Sequence, residues 1–308
     1  MNPSLQGYAS AVLNGLNEQE SVAVSADLIS LERLVAGQPE LFAAFTDTAL
    51  APSVRRAVAT DLLAAKVAPA TLSLVLQAIN VVPAQEVGVA ITWLQYRTLF
   101  TAERREWFEE SLSAISARRR VQGFAASVFA SLSNDELAVV GDELYQLARL
   151  VAKTLSLRSV LGDRDLQPSV RSTFLENLLT GKVHPATSAI ACYLPYGGRA
   201  RDVVGTLDAV VVKAAETRGW RVARVLAGAD LDTAQREALA ASLEALAGNP
   251  VDVYVSVDES LMAGVVVEIG DLRLDDSLRG RLDVLREHVA ASKQQFVSQL
   301  TTTNEGAS

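Results

Sequence analysis

The chain has 308 residues, 49% apolar and 21% charged, so it can bury cores of ordinary size and belongs to the globular proteins. Its net charge of −8 argues against nucleic-acid binding, which depends on clustered Lys and Arg side chains. The single cysteine, Cys192, excludes an internal disulfide and fits a reducing compartment.

The amino terminus, Met1 to Gly7, lacks the cationic start and the apolar stretch of a secretion signal. Every apolar run is interrupted well before the roughly 20 residues that a membrane-spanning helix needs. We therefore expect a protein that is not exported and that associates with a membrane only indirectly.

The first two-thirds of the sequence contain a repeat. The block Gln6 to Ala9 (QGYA) returns as Gln122 to Ala125 (QGFA), a separation of 116 residues (122 − 6). The same separation relates Pro52 to Arg55 (PSVR) to Pro168 to Arg171. A unit of this length exceeds the period of about 20–50 residues found in solenoids, so the repeat predicts a duplicated domain.

Both copies are predicted to be helical bundles, the first over residues 1–116 and the second over residues 117–219. Prolines that suit the first turn of a helix recur in both copies, and Ser133 with Glu136 has the form of a capping box. Each copy is expected to hold five or six helices. Apolar residues at helical spacing support this prediction: Leu28, Leu31, Leu34 and Val35 in the first copy, and Leu144, Leu147, Leu150 and Val151 in the second.

The copies differ most between Gln85 and Arg120, where the first copy carries several aromatic residues, among them Trp93 and Tyr96. This stretch ends in the run Arg118-Arg119-Arg120. The run is either a solvated helix end or a contact for an acidic partner.

From residue 220 to residue 308 the pattern changes to a small α+β module. Val251 to Val257 alternates apolar and polar residues, as a half-buried strand does. Strands are also predicted at Val222 to Leu226 and at Val265 to Ile269, where Gly270-Asp271 turns into Leu272 to Leu274. The predicted order is β-α-β-β-α around a small three-stranded sheet. The first helix of the module is capped by Asp232 and carries Leu239, Leu243 and Leu246 on one face.

The last predicted helix carries a long apolar stripe from Leu278 to Leu300. A small sheet cannot easily cover all of it. Either its first half packs on its own sheet and its end frays, or its distal half docks onto a helix of another chain.

The sequence shows little catalytic chemistry. His184 and His288 are the only histidines, no usual zinc-ligand set is present, and neither glycine-rich phosphate-binding motif occurs. We expect no metal, no cofactor and no small-molecule substrate. Asp271, Asp275 and Asp276 form an acidic cluster that is better explained as the cap of the last helix than as an active site.

Residues 261–271 (LMAGVVVEIGD) and 274–282 (LDDSLRGRL) resemble the carboxy-terminal signature of the ATP synthase delta subunit family, called the oligomycin-sensitivity-conferring protein in mitochondria. Tyr8-Ala9 resembles the start of that family's first helix. The chain has Ala263-Gly264 where the family usually has two glycines, and Asp275-Asp276-Ser277 where Asp-Gly-Ser is common. The duplicated form is similar to the delta subunits of actinobacteria.

The resemblance implies a non-catalytic stator of a proton-translocating F-type ATP synthase. In the family, the helical domain binds amino-terminal segments of the alpha subunits on the alpha/beta head, and the carboxy-terminal domain binds the b-subunit stalk. It also implies a peripheral location on the cytoplasmic face of the bacterial plasma membrane, as part of the complex.

By position, the resemblance implies three sets of residues. The candidate contacts for an alpha segment are Tyr8, Ala9 and Val12, with Phe124, Ala125 and Val128 in the second copy; the alternative for all six is helix-bundle core. The candidate stalk contacts are Leu285, Val289 and Phe296. The motif residues are Gly264, Gly270, Asp271, Asp275, Ser277, Arg279 and Leu282.

Two other functions stay open at this point. One is a helical adaptor or scaffold with two peptide-binding bundles, unrelated to ATP synthase. The other is an acid hydrolase built on Asp271 and Asp275.

Overall fold

A computed structural model of the chain describes residues 1–37, 43, 45–98, 114–197, 202–261 and 263–276. The chain divides into two compact units, Met1–Ala214 and Ala215–Ser308. Apart from residues 215–219, both predicted copies of the repeat fall in the first unit, so their division at residue 116 stays a prediction. The architecture agrees with the predicted fold class, because a mainly helical part is followed by a small α/β part.

The first copy of the repeat is helical over most of its described length. Its described helices are α1 (Pro3–Asn14), α2 (Glu18–Gly37), α3 (Pro52–Leu63), α4 (Pro69–Val81) and α5 (Val87–Thr98), with a 3-10 turn at Ala84–Glu86. The second copy contains α6 (Ala114–Phe129), α7 (Asn134–Lys153), α8 (Leu155–Gly162), α9 (Pro168–Leu179), α10 (Pro185–Gly197) and α11 (Val203–Thr217). Helices α7, α9, α10 and α11 begin 116 residues after α2, α3, α4 and α5, so the spacing seen in the sequence is also a spacing of helix starts.

The helix starts follow the local signals in the sequence. Five of the described helices open with a proline in the first turn, where its missing N–H needs no partner. The predicted capping box at α7 is confirmed, since Glu136 N–H donates to Ser133 Oγ and the Glu136 carboxylate accepts from Ser133 N–H at 2.8 Å. The Glu136 carboxylate accepts hydrogen bonds from both the backbone N–H and the hydroxyl of Ser133, and these hold the pKa of Glu136 below its usual range.

A carboxylate from the second helix of each copy caps another helix of the same copy. Asp27 accepts hydrogen bonds from Ala68 N–H (2.7 Å) and from the Thr71 hydroxyl (2.9 Å) at the start of α4. In the second copy, Glu143 accepts them from His184 N–H (2.9 Å) and from the Thr187 hydroxyl at the start of α10. His184 therefore lies at the entrance of α10, directly before Pro185.

The core of the first copy is made of aliphatic side chains from all five helices, α1 to α5, joined by Phe45. Among the predicted apolar positions of α2 and α7 whose burial the structure describes, nearly all are inside, with Leu28 and Leu144 fully buried. Leu150 is the exception at 48% exposed, because it lies at the solvent side of the stripe near the end of α7.

The second unit contains a sheet with the strand order β2-β1-β3-β4. Its strands are β1 (Arg221–Ala227), β2 (Val251–Val257), β3 (Val265–Ile269) and β4 (Leu272–Asp275), and helix α12 (Thr233–Ala247) connects the parallel pair β1 and β2. A 3-10 turn at Glu259–Leu261 precedes β3. The sheet is one strand larger than predicted, because the residues after the Gly270 turn pair along β3 in an antiparallel ladder.

Helix α12 covers one face of this sheet. It starts at the predicted cap, where Gln235 N–H donates to Asp232 at 2.7 Å, and it ends at Gly248 in the left-handed conformation. Leu243 is buried against Ala223, Val225 and Val267. Leu246, three residues further along the same face, lies in the last turn of the helix and is 55% exposed.

Candidate functional site

The six residues predicted to contact an alpha segment lie on two helices that pack against each other. Tyr8, Ala9 and Val12 are on α1, and their second-copy equivalents are on α6, which packs along α1. The duplication therefore brings both sets together in the first unit.

These six residues differ in what they offer to a partner. Ala9 and Ala125 are fully buried. Tyr8, Val12, Phe124 and Val128 are half-buried and keep part of their surface exposed. Only these four have surface available for another chain in this structure.

In the first copy, Tyr8 and Val12 pack against the bundle core. Helix α1 also packs on α4, and the Asn2 side chain donates to the Val81 carbonyl at the end of α4 at 2.6 Å. Asn2 in addition caps its own helix by accepting from Ser4 N–H at 2.9 Å. The amino end of α1 is thus fixed to α4 by a specific polar contact.

In the second copy, the ring of Phe124 stacks on Tyr193 of α10, with ring centroids 4.0 Å apart and planes 10° apart. One face of Phe124 is therefore covered by its own bundle. The neighbouring Gln122 donates from its side chain to the Ala209 carbonyl of α11 at 3.1 Å.

The run of three arginines at the start of α6 has internal partners. Arg118 forms a two-point ion pair with Asp202, whose carboxylate raises the pKa of the guanidinium. Arg120 is 8% exposed and donates to the Gln6 side chain at 3.1 and 2.6 Å. Arg119 is exposed. Two of the three arginines therefore serve the packing of the helical unit.

The structure also shows a concave surface that the sequence did not predict as a site. It is a groove of about 550 Å³ between α2 and α5 in the first copy. It contains two large exposed side chains, Val89 (65% exposed) and Tyr96 (59% exposed). Glu32 lies at its edge and accepts from the Thr92 hydroxyl at 3.0 Å. We call this the α2–α5 groove; it is lined by Glu32, Gly88, Val89, Ile91, Thr92, Trp93 and Tyr96.

The second copy lacks the aromatic lining of this groove. The residues 116 positions after Trp93 and Tyr96 are Ala209 and Val212. The sequence indicated this groove only indirectly, because similarity between the copies is lost between Gln85 and Arg120. That loss shows that the copies differ there, but not that the residues of the first copy line a concave surface.

The carboxy-terminal motif is described only in part. Gly264 (φ 86°) and Gly270 (φ 57°) adopt the left-handed backbone that favours glycine, before and after β3. Asp271 lies in the exposed turn between β3 and β4, and Asp275 ends β4 opposite Val266. Ser277, Arg279 and Leu282 lie outside the described residues, and so do Leu285, Val289 and Phe296.

The described residues contain no group of three or more His, Cys, Asp or Glu side chains that could hold a metal ion. Cys192 is a half-buried free thiol, and burial raises its pKa. Among the described helices, none has the length and apolar character needed to cross a membrane.

The sequence model of the family described as the ATP synthase delta (OSCP) subunit matches residues 122–289. This stretch is more than half of the chain. The chain belongs to this family. The match covers the second copy of the repeat and most of the α/β unit, so the first copy lies outside it.

Relatives in the family align over most of the chain. The ATP synthase subunit delta of Corynebacterium diphtheriae is 29% identical over 270 residues, which cover 86% of this chain and 87% of that protein. The delta subunit of Salinispora arenicola is 31% identical over 274 residues, covering 89% and 90%. Both alignments are longer than the part of the chain from Ala114 to Ser308, so they include residues of the first copy.

A chain in the cryo-EM structure of the Toxoplasma gondii mitochondrial ATP synthase hexamer also matches. It is 16% identical, with a TM-score of 0.38, and the match covers 55% of this chain and 97% of that one.

Proposed function

We propose that this chain is a peripheral-stalk subunit of a proton-translocating F-type ATP synthase, and that it links the alpha/beta head to the b-subunit stalk and resists the torque of the rotor. The observation that carries the proposal is membership of the delta subunit family, with relatives aligned over 86–89% of the chain. This membership argues against the alternative function, an adaptor unrelated to ATP synthase.

In this role the chain has no active site, cofactor or small-molecule substrate of its own. Asp271 and Asp275 serve the β3–β4 hairpin, one in its turn and one at the end of its second strand. The chain takes its place at the cytoplasmic face of the plasma membrane through the complex.

The amino-terminal segment of an alpha subunit binds along α1 or α6. The four half-buried residues Tyr8, Val12, Phe124 and Val128 supply apolar surface beside the α1–α6 packing. An amphipathic helix is the partner that such a surface fits, because apolar residues three and four positions apart lie on one face of a helix.

The b-subunit stalk binds the last predicted helix through Leu285, Val289 and Phe296. These residues belong to an apolar stripe that is longer than a small sheet needs. The stripe gives the stalk a helix to pair with.

The alpha contact can be tested with the same change in both copies. Tyr8→Ala and Phe124→Ala each remove a partly exposed ring, and binding of the full chain to an alpha amino-terminal peptide is measured by calorimetry. We expect at least one variant to weaken binding about tenfold or more, a loss of about 1.4 kcal/mol. Tyr96→Ala, which removes a ring from the α2–α5 groove, is the matched control. If it alone abolishes binding, the segment occupies the groove and the assignment to α1 and α6 is wrong.

The stalk contact can be tested with Leu285→Asp, Val289→Asp and Phe296→Asp, which place charge on the stripe. We expect the triple variant to lose binding to a soluble b-subunit fragment. Val22→Asp is the control, since it adds a charge at a 65% exposed apolar position in α2. Unchanged affinity in a triple variant with a wild-type circular dichroism spectrum would contradict the assignment.

A further inference from the structure

The contact between α1 and α6 has an internal two-fold symmetry. A Cβ atom placed on Gly7 would lie 1.7 Å from the carbonyl oxygen of Arg120, and one placed on Gly123 would lie 2.0 Å from that of Ser4. Gly123 and Arg120 are the equivalents of Gly7 and Ser4 in the repeat, 116 residues on. Gly7 of the first copy therefore meets the second copy at the same position at which Gly123 of the second copy meets the first. Such a reciprocal contact defines an isologous interface.

The closeness of this contact explains why both positions are glycine. Any side chain at either position would meet the backbone of the other helix, which cannot move aside as a flexible side chain can. Glycine is otherwise among the least favourable residues inside a helix. Its presence at the same point of both copies is accounted for by the approach of the two backbones.

The polar groups beside the crossing break the symmetry. Arg120 reaches across from α6 to the Gln6 side chain on α1, with two hydrogen bonds. Its equivalent in the first copy is the short Ser4, and Gln122 donates instead to Ala209 in its own copy. The guanidinium of Arg120 is nearly buried in this contact.

We propose that the two copies of the repeat bind each other as a pseudo-homodimer through this crossing, so that non-covalent contact and not the connecting segment holds them together. The Gly7 face of α1 and the Gly123 face of α6 are then closed to any other chain. The partner that fits each face is the other copy. This proposal does not depend on a role in the ATP synthase.

The test is to cut the connection in the full chain. A protease recognition sequence is inserted between Thr98 and Ala114, the chain is cleaved, and its mass under native conditions is measured at micromolar concentration. We expect the two pieces to stay together with the mass of the uncut chain. Pieces that separate would overturn the proposal, and so would a complex with twice that mass, because it would mean pairing between chains.

Three variants make the test specific. In the cleaved protein, Gly7→Leu or Gly123→Leu should raise the dissociation constant of the pieces at least about tenfold. Gly15→Ala is the matched control, because a Cβ there meets only ordinary contacts at 3.6 Å, and it should change nothing.

Arg120→Ala tests the same interface without a bulky side chain, so it remains informative if a leucine variant fails to fold. It adds no atoms and removes the two hydrogen bonds to Gln6, so we expect a folded protein whose pieces dissociate more readily. Wild-type association of the cleaved pieces in Arg120→Ala and in both glycine variants would contradict the proposed interface.

Discussion

Asp27 and Glu143 each join two helices, through a hydrogen bond to a backbone N–H that lies 41 residues further along the chain. Each carboxylate accepts a backbone N–H at a helix start and a threonine hydroxyl one turn later, and both threonines are fully buried. The negative charge also lies at the positive end of the helix dipole. Each carboxylate thus caps a helix and fixes the distance between two helices of its bundle.

We expect Asp27→Ala to lower the free energy of unfolding by about 2 kcal/mol, because it leaves the Thr71 hydroxyl and the Ala68 N–H without their acceptor. Glu143→Ala should have an effect of similar size in the second copy. Chemical denaturation measures both. Asp61→Ala in α3 is the control, since Asp61 is exposed and surface changes usually stay within about 0.5 kcal/mol. Equal stability of Asp27→Ala and Asp61→Ala would show that the cap contributes nothing.

The sequence did not predict these caps. The capping boxes at Ser133 and Asp232 are visible in the sequence because both partners lie within three residues. Asp27 and Ala68 meet only after the bundle has formed. The repeat offered a weak signal, since acidic residues recur at positions 27 and 143, but side chains of different length hide the equivalence.

Helices and strands were predictable where a local pattern decides them. Prolines opened helices at the predicted positions, and the alternation in Val251 to Val257 gave a strand with the predicted bounds. The fourth strand was missed as a strand because Leu272–Asp275 is short and exposed, and it is defined by its pairing with β3. The crossing of α1 and α6 could not be predicted either, because Gln6-Gly7 and Gln122-Gly123 show that the copies are similar but not that they are in contact.

In the α/β unit, helix α12 offers two leucines in very different surroundings. Leu243 is 4% exposed in the core and Leu246 is 55% exposed. We expect Leu243→Ala to destabilise the α/β unit by about 2–5 kcal/mol, because it leaves a cavity against the sheet.

Leu246→Ala removes the same atoms from the same helix and serves as the control, with an expected change within about 0.5 kcal/mol. The losses of stability in the two variants are compared by thermal unfolding, monitored with a spectroscopic signal from the α/β unit. A larger loss in Leu246→Ala than in Leu243→Ala would mean that the side of α12 assigned to the core is wrong.

At the scale of the whole molecule, the chain combines a helical unit made of two copies with one α/β unit. The family match begins at residue 122, so the second copy and the α/β unit correspond to the family's own pattern and the first copy is added before them. The sequence predicted this arrangement because the duplication and the carboxy-terminal motif can both be recognised from short stretches of matching residues. It did not predict which partner each copy binds, because matched blocks at helix starts specify a shared fold and not a shared surface.

The central claim is that the chain holds the head against the rotor by linking it to the stalk. The direct measurement is ATP-driven proton pumping in membrane vesicles that carry the cognate synthase, after the chain has been removed and then added back. We predict that the wild-type chain restores pumping, whereas the Leu285→Asp, Val289→Asp and Phe296→Asp triple variant leaves ATP hydrolysis without pumping. Full pumping in vesicles that lack the chain would contradict the account.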